Sequence, residues 1–370
     1  MNDKVFADIN KIIERDSKAT TYKFALLRGV IDIIQDNSPY ITIYGNKVFI
    51  PTGLLIEKWM IYYYPILESQ IPIPQCSGEK NLSFSIQFQK IISIYKNRHG
   101  FIGFYEDLKR NGVPKELNYE FHILSKQIYV AITKMPMKHI GYSINHRLYS
   151  IFSIETDRRK VKPYMFDINF LINNFGRFSI PTDYYQSFKF LGSFINGQDS
   201  LLFKWAEFSV NASKKRLSPE EVISVVVQNP ITERDVQHSK KIFESELKNS
   251  GKLFCVWTGD PIKRYEIDHV IPFSAWRNND LWNLLPTKRT INNKKRDKIP
   301  TPDTIEKHKK QLLFYWEMLD RVEHIKFQKE IYVTLLGNNS KLAWQDAAIK
   351  HLQQNCEYLI SERGFEAWNT

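Results

Sequence analysis

The chain has 370 residues, 43% of them hydrophobic and 25% charged, which allows two or three domains with real cores and argues against a disordered polymer. Its formal net charge of +12 favours a polyanionic partner, because Lys and Arg release counterions when they neutralise phosphates. Three scattered cysteines, Cys76, Cys255 and Cys356, form no Cys-x-x-Cys pair, so neither a zinc knuckle nor a disulfide framework is expected, and a reducing cytoplasm fits.

Met1-Asn2-Asp3-Lys4 lacks the pattern of a signal peptide, and the longest apolar run, near Trp59–Leu67, is too short to span a bilayer. Tyr22, Ala25, Leu26, Val30 and Ile33 recur at helical spacing and predict a helix over Thr20–Ile34. Alternating residues on either side of Gly45-Asn46 predict a tight hairpin that ends at Pro51. A helix over Leu54–Tyr63 comes next. Its aromatic cluster, Trp59–Tyr64, could stack bases but suits helical core packing better. Ile71–Gly78 carries prolines that cannot join a ladder and reads as a loop. Helices are expected at Phe84–Tyr95, Phe101–Arg110 and Leu117–Lys134, and a strand at Arg147–Ile154. Arg158, Arg159, Lys160 and Lys162 lie in a polar connector and read as a solvated run. Pro181–Phe194 and Ser200–Val210 read as helical. Ser218-Pro219-Glu220-Glu221 is a helix-start signature. Thr232–Lys248 is charged and periodic and reads as an exposed helix.

That helix leads into the densest signal of the chain: Glu266-Ile267-Asp268-His269-Val270-Ile271-Pro272, then Trp282-Asn283-Leu284-Leu285-Pro286, then Asn292-Asn293-Lys294-Lys295. Phosphodiester hydrolysis needs a base for water and a counter-charge for the phosphate and leaving oxygen. A histidine serves the first need, and a hard cation held by one or two protein oxygens serves the second. Tyr265 and Ile267 mark a strand ending at Asp268-His269. Neighbours on a strand point to opposite faces, so both side chains serve one site only if the chain curls there. Trp282–Leu285 reads as a second strand and Thr290–Arg296 as a helical turn bringing Asn292 near Asp268. Asn293 is the alternative, and spacing favours Asn292. Beside such a site, Lys288, Arg289, Lys294, Arg296 and Lys298 become candidate backbone contacts.

These residues resemble the HNH nuclease family and its ββα-metal fold. The spacings of fourteen residues from His269 to Asn283 and nine from Asn283 to Asn292 are similar to those in the HNH domain of RNA-guided CRISPR nucleases. The resemblance implies that His269 is the general base, that Asp268 and Asn292 are metal ligands, that Asn283 braces the loop carrying the histidine, and that Lys295 stabilises charge at the phosphate. Asparagine at the third ligand position favours Mg²⁺ or Mn²⁺ over softer metals. With Thr20–Leu27 near the start, the order is similar to bacterial HNH proteins of restriction and antiphage systems, which implies a partner such as an ATPase or sensor.

The expectation is therefore an α+β chain. Residues 1–248 form a mainly helical region with a small hairpin, for target recognition or partner binding. Residues 249–302 form the HNH module and 303–370 a helical extension, with Asp303 and Glu306 opening a helix to Leu319 and the tail from Lys326 to Trp368 helical. The substrate is DNA, cut to 5′-phosphate and 3′-hydroxyl ends. RNA stays open because the motif does not read the 2′-hydroxyl, as does assembly with a second copy. The competing class is a binding or assembly subunit whose nuclease fold is silent until a partner arrives.

Overall fold

The computed structural model describes residues 3–15, 18–78, 81–140, 150–156, 165–197, 201–231, 233–337 and 344–370. The chain divides into two compact units, Met1–Pro230 and Ile231–Thr370. The boundary thus falls at Pro230 rather than at 248, because the helix after it shares its core with the second unit.

The first unit is built on helices α1 (Asp3–Arg15), α2 (Tyr22–Gln35) and α3 (Thr52–Glu68). The hairpin predicted around Gly45-Asn46 is present as β1 (Thr42–Tyr44) and β2 (Lys47–Pro51), with Tyr44 opposite Lys47 and Gly45 at φ 58°. Helices α4 (Ser85–Tyr95), α5 (Gly100–Glu106), α6 (Asn118–Lys134) and α7 (Pro136–His139) come next. The strand expected over Arg147–Ile154 is β3 (Ser153–Glu155), and its first three predicted residues lie outside the described residues. The basic run Arg158–Lys162 also lies outside them. Helix α8 (Ile168–Asn174) and strand β4 (Arg177–Pro181) have no counterpart in the periodicity of the sequence; β4 completes an antiparallel sheet of order β1-β2-β4-β3. Helices α9 (Thr182–Gly197), α10 (Leu201–Ala212) and α11 (Pro219–Val226) close the unit, and α11 carries the capping box read at Ser218 and Glu221.

Trp59, Tyr63 and Tyr64 are fully buried, and the ring of Tyr63 packs 5.2 Å from Phe84 and 5.6 Å from Trp205. The cluster is core, not a stacking platform. A Cβ on Gly53 would lie 2.0 Å from the Leu171 carbonyl oxygen, so only glycine lets α3 approach α8 this closely.

In the second unit, helix α12 (Gln237–Ser250) starts five residues later than the charge pattern suggests. Two hairpins come after it: β5 (Leu253–Phe254) with β6 (Pro261–Ile262), then β7 (Glu266–His269) with β8 (Leu284–Thr287). Trp282 and Asn283 form a helical turn leading into β8 rather than the strand expected over Trp282–Leu285. Next come α13 (Arg289–Lys295), β9 (Ile299–Pro300), α14 (Pro302–Lys307), α15 (Lys309–Val322), α16 (His324–Ile331) and α17 (Trp344–Ser361). The tail is not helical throughout. Ala367–Trp368 is a strand, β10, pairing parallel with β9. One apolar core runs from Ile242 through Trp257, Trp282 and Trp316 to Trp368, so residues 303–370 pack as part of this unit. No helix among the described residues is long and apolar enough to cross a membrane.

Candidate active site

Strands β7 and β8 run antiparallel with Asp268 opposite Leu285 and His269 opposite Leu284. Asp268, His269 and Asn292 all line one cleft of about 520 Å³, together with Arg234, Phe273 and Arg296. Asp268 and His269 thus reach one cleft although β7 stays in register with β8 through His269.

Asp268 and His269 are almost fully buried, at 3% and 2% exposure. The Trp257 indole donates to Asp268 Oδ2 at 2.7 Å, and Lys295 Nζ donates to Asp268 Oδ1 at 3.1 Å. Lys295 also donates to the His269 carbonyl at 2.6 Å and is itself fully enclosed. This geometry contradicts the expectation that Lys295 meets the phosphate, because its ammonium is sequestered with Asp268. Burial pushes its pKa down, while Asp268 opposes that shift.

Burial lowers the His269 pKa to about 4, and the nearby Arg234 and Lys295 charges push the same way. The imidazole is therefore neutral at pH 7. Its tautomer follows from its neighbours. Asn279 Nδ2 donates to the Glu233 carbonyl at 3.0 Å, which leaves Asn279 Oδ1 to accept from His269 Nε2–H at 3.1 Å. Nδ1 is then the atom with the lone pair, and it is buried with no hydrogen-bond partner. The ring thus presents an unpaired acceptor nitrogen in a residue that lines the cleft.

Asn283 is fully buried. Its Oδ1 accepts from the Ile271 amide at 2.8 Å, and its Nδ2 donates to the carbonyls of Ile271 and Asn278 at 3.1 and 3.2 Å. Its backbone carbonyl accepts from Val270 N–H at 2.8 Å. It thus ties both ends of the segment that leaves His269. Asn292 Nδ2 donates to Glu266 Oε2 at 2.7 Å, which fixes the amide and leaves Oδ1 for a cation.

No group of three or more His, Cys, Asp or Glu side chains suited to a metal occurs among the described residues. What is present at the cleft is two carboxylates, Asp268 and Asp297, and two side-chain amides, Asn292 and Asn293, of which Asp268 and Asn292 are the pair that the motif nominates. That set fits a hard cation that keeps most of its waters and does not fit tetrahedral zinc.

The remaining basic candidates divide. Arg296 lines the cleft, at φ 52°, with its Nε–H donating to the Asn293 carbonyl at 3.2 Å. Lys294 is exposed on α13. Lys288 pairs with Asp260, Arg289 lies 3.5 Å from Glu266, and Lys298 pairs with Glu366. Such surface pairs hold weakly and can exchange for a phosphate. Four residues of the site escape a reading of the sequence. Glu266 carries a signal, since a strand places it on the face of Asp268 two residues later. Trp257, Asn279 and Arg234 carry none that sequence spacing reveals.

Two strands and a short helix surround the buried Asp-His pair, and residues 255–301, which contain them, match the family model described as HNH endonuclease. That match points to hydrolysis of nucleic acid. A second family model, described as Domain of unknown function (DUF8808), matches residues 2–226, more than half of the chain, and the chain belongs to that family. No curated protein and no solved structure matches it.

Proposed function

We propose that the second unit is a divalent-metal-dependent endonuclease that hydrolyses DNA to 5′-phosphate and 3′-hydroxyl ends, and that β7, β8 and α13 form its ββα-metal core. The observation that carries this reading is the buried, unpartnered Nδ1 of a neutral His269 at the cleft that also holds the oxygens of Asp268 and Asn292. In the proposed reaction Nδ1 takes a proton from water as its oxygen bonds to phosphorus. The P–O3′ bond then breaks, and the 3′ oxygen leaves with a proton from solvent. Asn279 holds Nε2–H so that Nδ1 faces the task, and Asn283 fixes the backbone that carries the ring. Mg²⁺ or Mn²⁺ held by Asp268 and Asn292 would supply Lewis-acid neutralisation of the phosphate charge.

Residues 1–230 have a core of their own, so we assign them target recognition or partner binding, with restriction or antiphage defence as the setting. The experiment is plasmid cleavage by the full chain with Mg²⁺ and with EDTA. Nicked or linear product with Mg²⁺ only is expected. Equal cutting in both sinks the metal dependence, and cutting of RNA but not DNA sinks the substrate assignment.

A further inference from the structure

Lys295, which the motif nominates for the phosphate, is enclosed and bound to Asp268 and the His269 carbonyl. A dianionic pentacoordinate phosphorane still needs donors on its non-bridging oxygens, and fixed donors are worth most there. Two guanidinium groups line the cleft, Arg234 and Arg296. Arg296 is tied to its own helix end through Asn293. Arg234 is tied to the catalytic strand: its Nη2 donates to the Ile267 carbonyl at 2.6 Å, one residue before Asp268. That bond uses one of five N–H donors. Its neighbour Glu233 supplies the carbonyl that orients Asn279, and through it His269. Residues 233 and 234 therefore belong to the site although they precede the matched module, residues 255–301, by some twenty positions.

We propose that Arg234 is a catalytic residue of this nuclease site, donating its free N–H groups to the non-bridging oxygens of the phosphodiester held in the cleft. A planar guanidinium matches two phosphate oxygens at once, which an ammonium does not. Anchorage on Ile267 holds it in register with Asp268 and His269 and spares it the ordering that a long exposed side chain otherwise undergoes on binding. This role for Arg234 rests on the nuclease reading of the same cleft.

The test compares the full chain with Arg234→Met, Arg234→Lys and Arg296→Met. Affinity for a short labelled DNA duplex is measured in EDTA across a salt series, and single-turnover cleavage is measured with Mg²⁺. Arg234→Met is expected to flatten the log–log salt slope by about 0.9, the value for one lost phosphate contact. It should also slow cleavage about 100- to 1000-fold, the usual cost of removing one transition-state donor. Arg234→Lys should keep the slope and recover only part of the rate. Arg296→Met should weaken binding with a smaller effect on the rate. An unchanged slope in Arg234→Met overturns the proposal even if the rate falls, since the residue would then act only through Ile267. A lost contact with an unchanged rate overturns it as well. If the unaltered chain cuts no nucleic acid, the nuclease reading fails separately, and the salt slope still decides whether Arg234 meets phosphate.

Discussion

Two buried polar clusters, one in each unit, are built differently. In the first, Thr21 Oγ1 bonds Tyr63 Oη and Gln75 Oε1 at 2.9 Å, and Trp205 Nε1 donates to the same Gln75 oxygen at 2.9 Å. The network joins α2, α3, α10 and the loop before α4 through groups that satisfy one another within an aromatic core. In the second, Asp268, His269 and Lys295 are buried just as deeply, but His269 Nδ1 has no partner and the cluster meets a cleft. Burying polar groups is costly unless they are paired. A closed network adds to stability, whereas an open one holds reactive atoms in place for a substrate to complete.

The sharpest way to break that comparison is at His269. His269→Ala should cut the single-turnover rate about 100- to 10,000-fold while DNA affinity stays near wild type, because a general base acts in the chemical step. Retention of most of the rate would show that the open nitrogen is not the base.

Next in size is the Asp268–Lys295 pair. Asp268→Ala leaves an enclosed ammonium without its counter-charge and should lower stability by about 3–5 kcal/mol, read by denaturant unfolding. Asp268→Ala with Lys295→Met should recover much of that stability and none of the cleavage. Recovery of cleavage would mean that Asp268 serves only Lys295.

His269 also predicts a pH dependence. Its folded pKa, about 4, lies below the unfolded value near 6.5, so folding favours the neutral ring. That contribution is full above pH 6.5 and is lost as pH falls toward 4, at up to about 1.4 kcal/mol per pH unit. In EDTA the unaltered chain should therefore lose stability over this window faster than His269→Gln. Parallel curves would refute the depressed pKa.

Smaller effects are expected at the two braces. Asn283→Ala removes three side-chain hydrogen bonds and should destabilise the second unit by about 2–3 kcal/mol, with a partial loss of rate as the loop after His269 loosens. Gln75→Leu should cost about 1–3 kcal/mol in the first unit and leave single-turnover cleavage of bound substrate unchanged. A matched fall in rate would show that the closed network serves the site too.

The sequence by itself determined the elements whose signals are local. The Gly45-Asn46 hairpin, the Ser218 capping box and most helices of the first unit follow from turn chemistry, caps and periodicity, which depend on residues a few positions apart. The motif residues Asp268, His269 and Asn292 also line one cleft, since they sit on a strand and helix that pack together. Only the tertiary structure decided what each polar atom faces. Nothing in the spacing of Lys295 shows that its ammonium is enclosed against Asp268. Nothing in Thr232–Lys248 shows that the helix begins at Gln237 and that Glu233 and Arg234 reach the site instead. Those roles rest on hydrogen bonds such as Asn279 to Glu233, across 46 residues, and Arg234 to Ile267, across 33. Contacts at that separation are set by how the core packs, and a one-dimensional pattern carries no record of them.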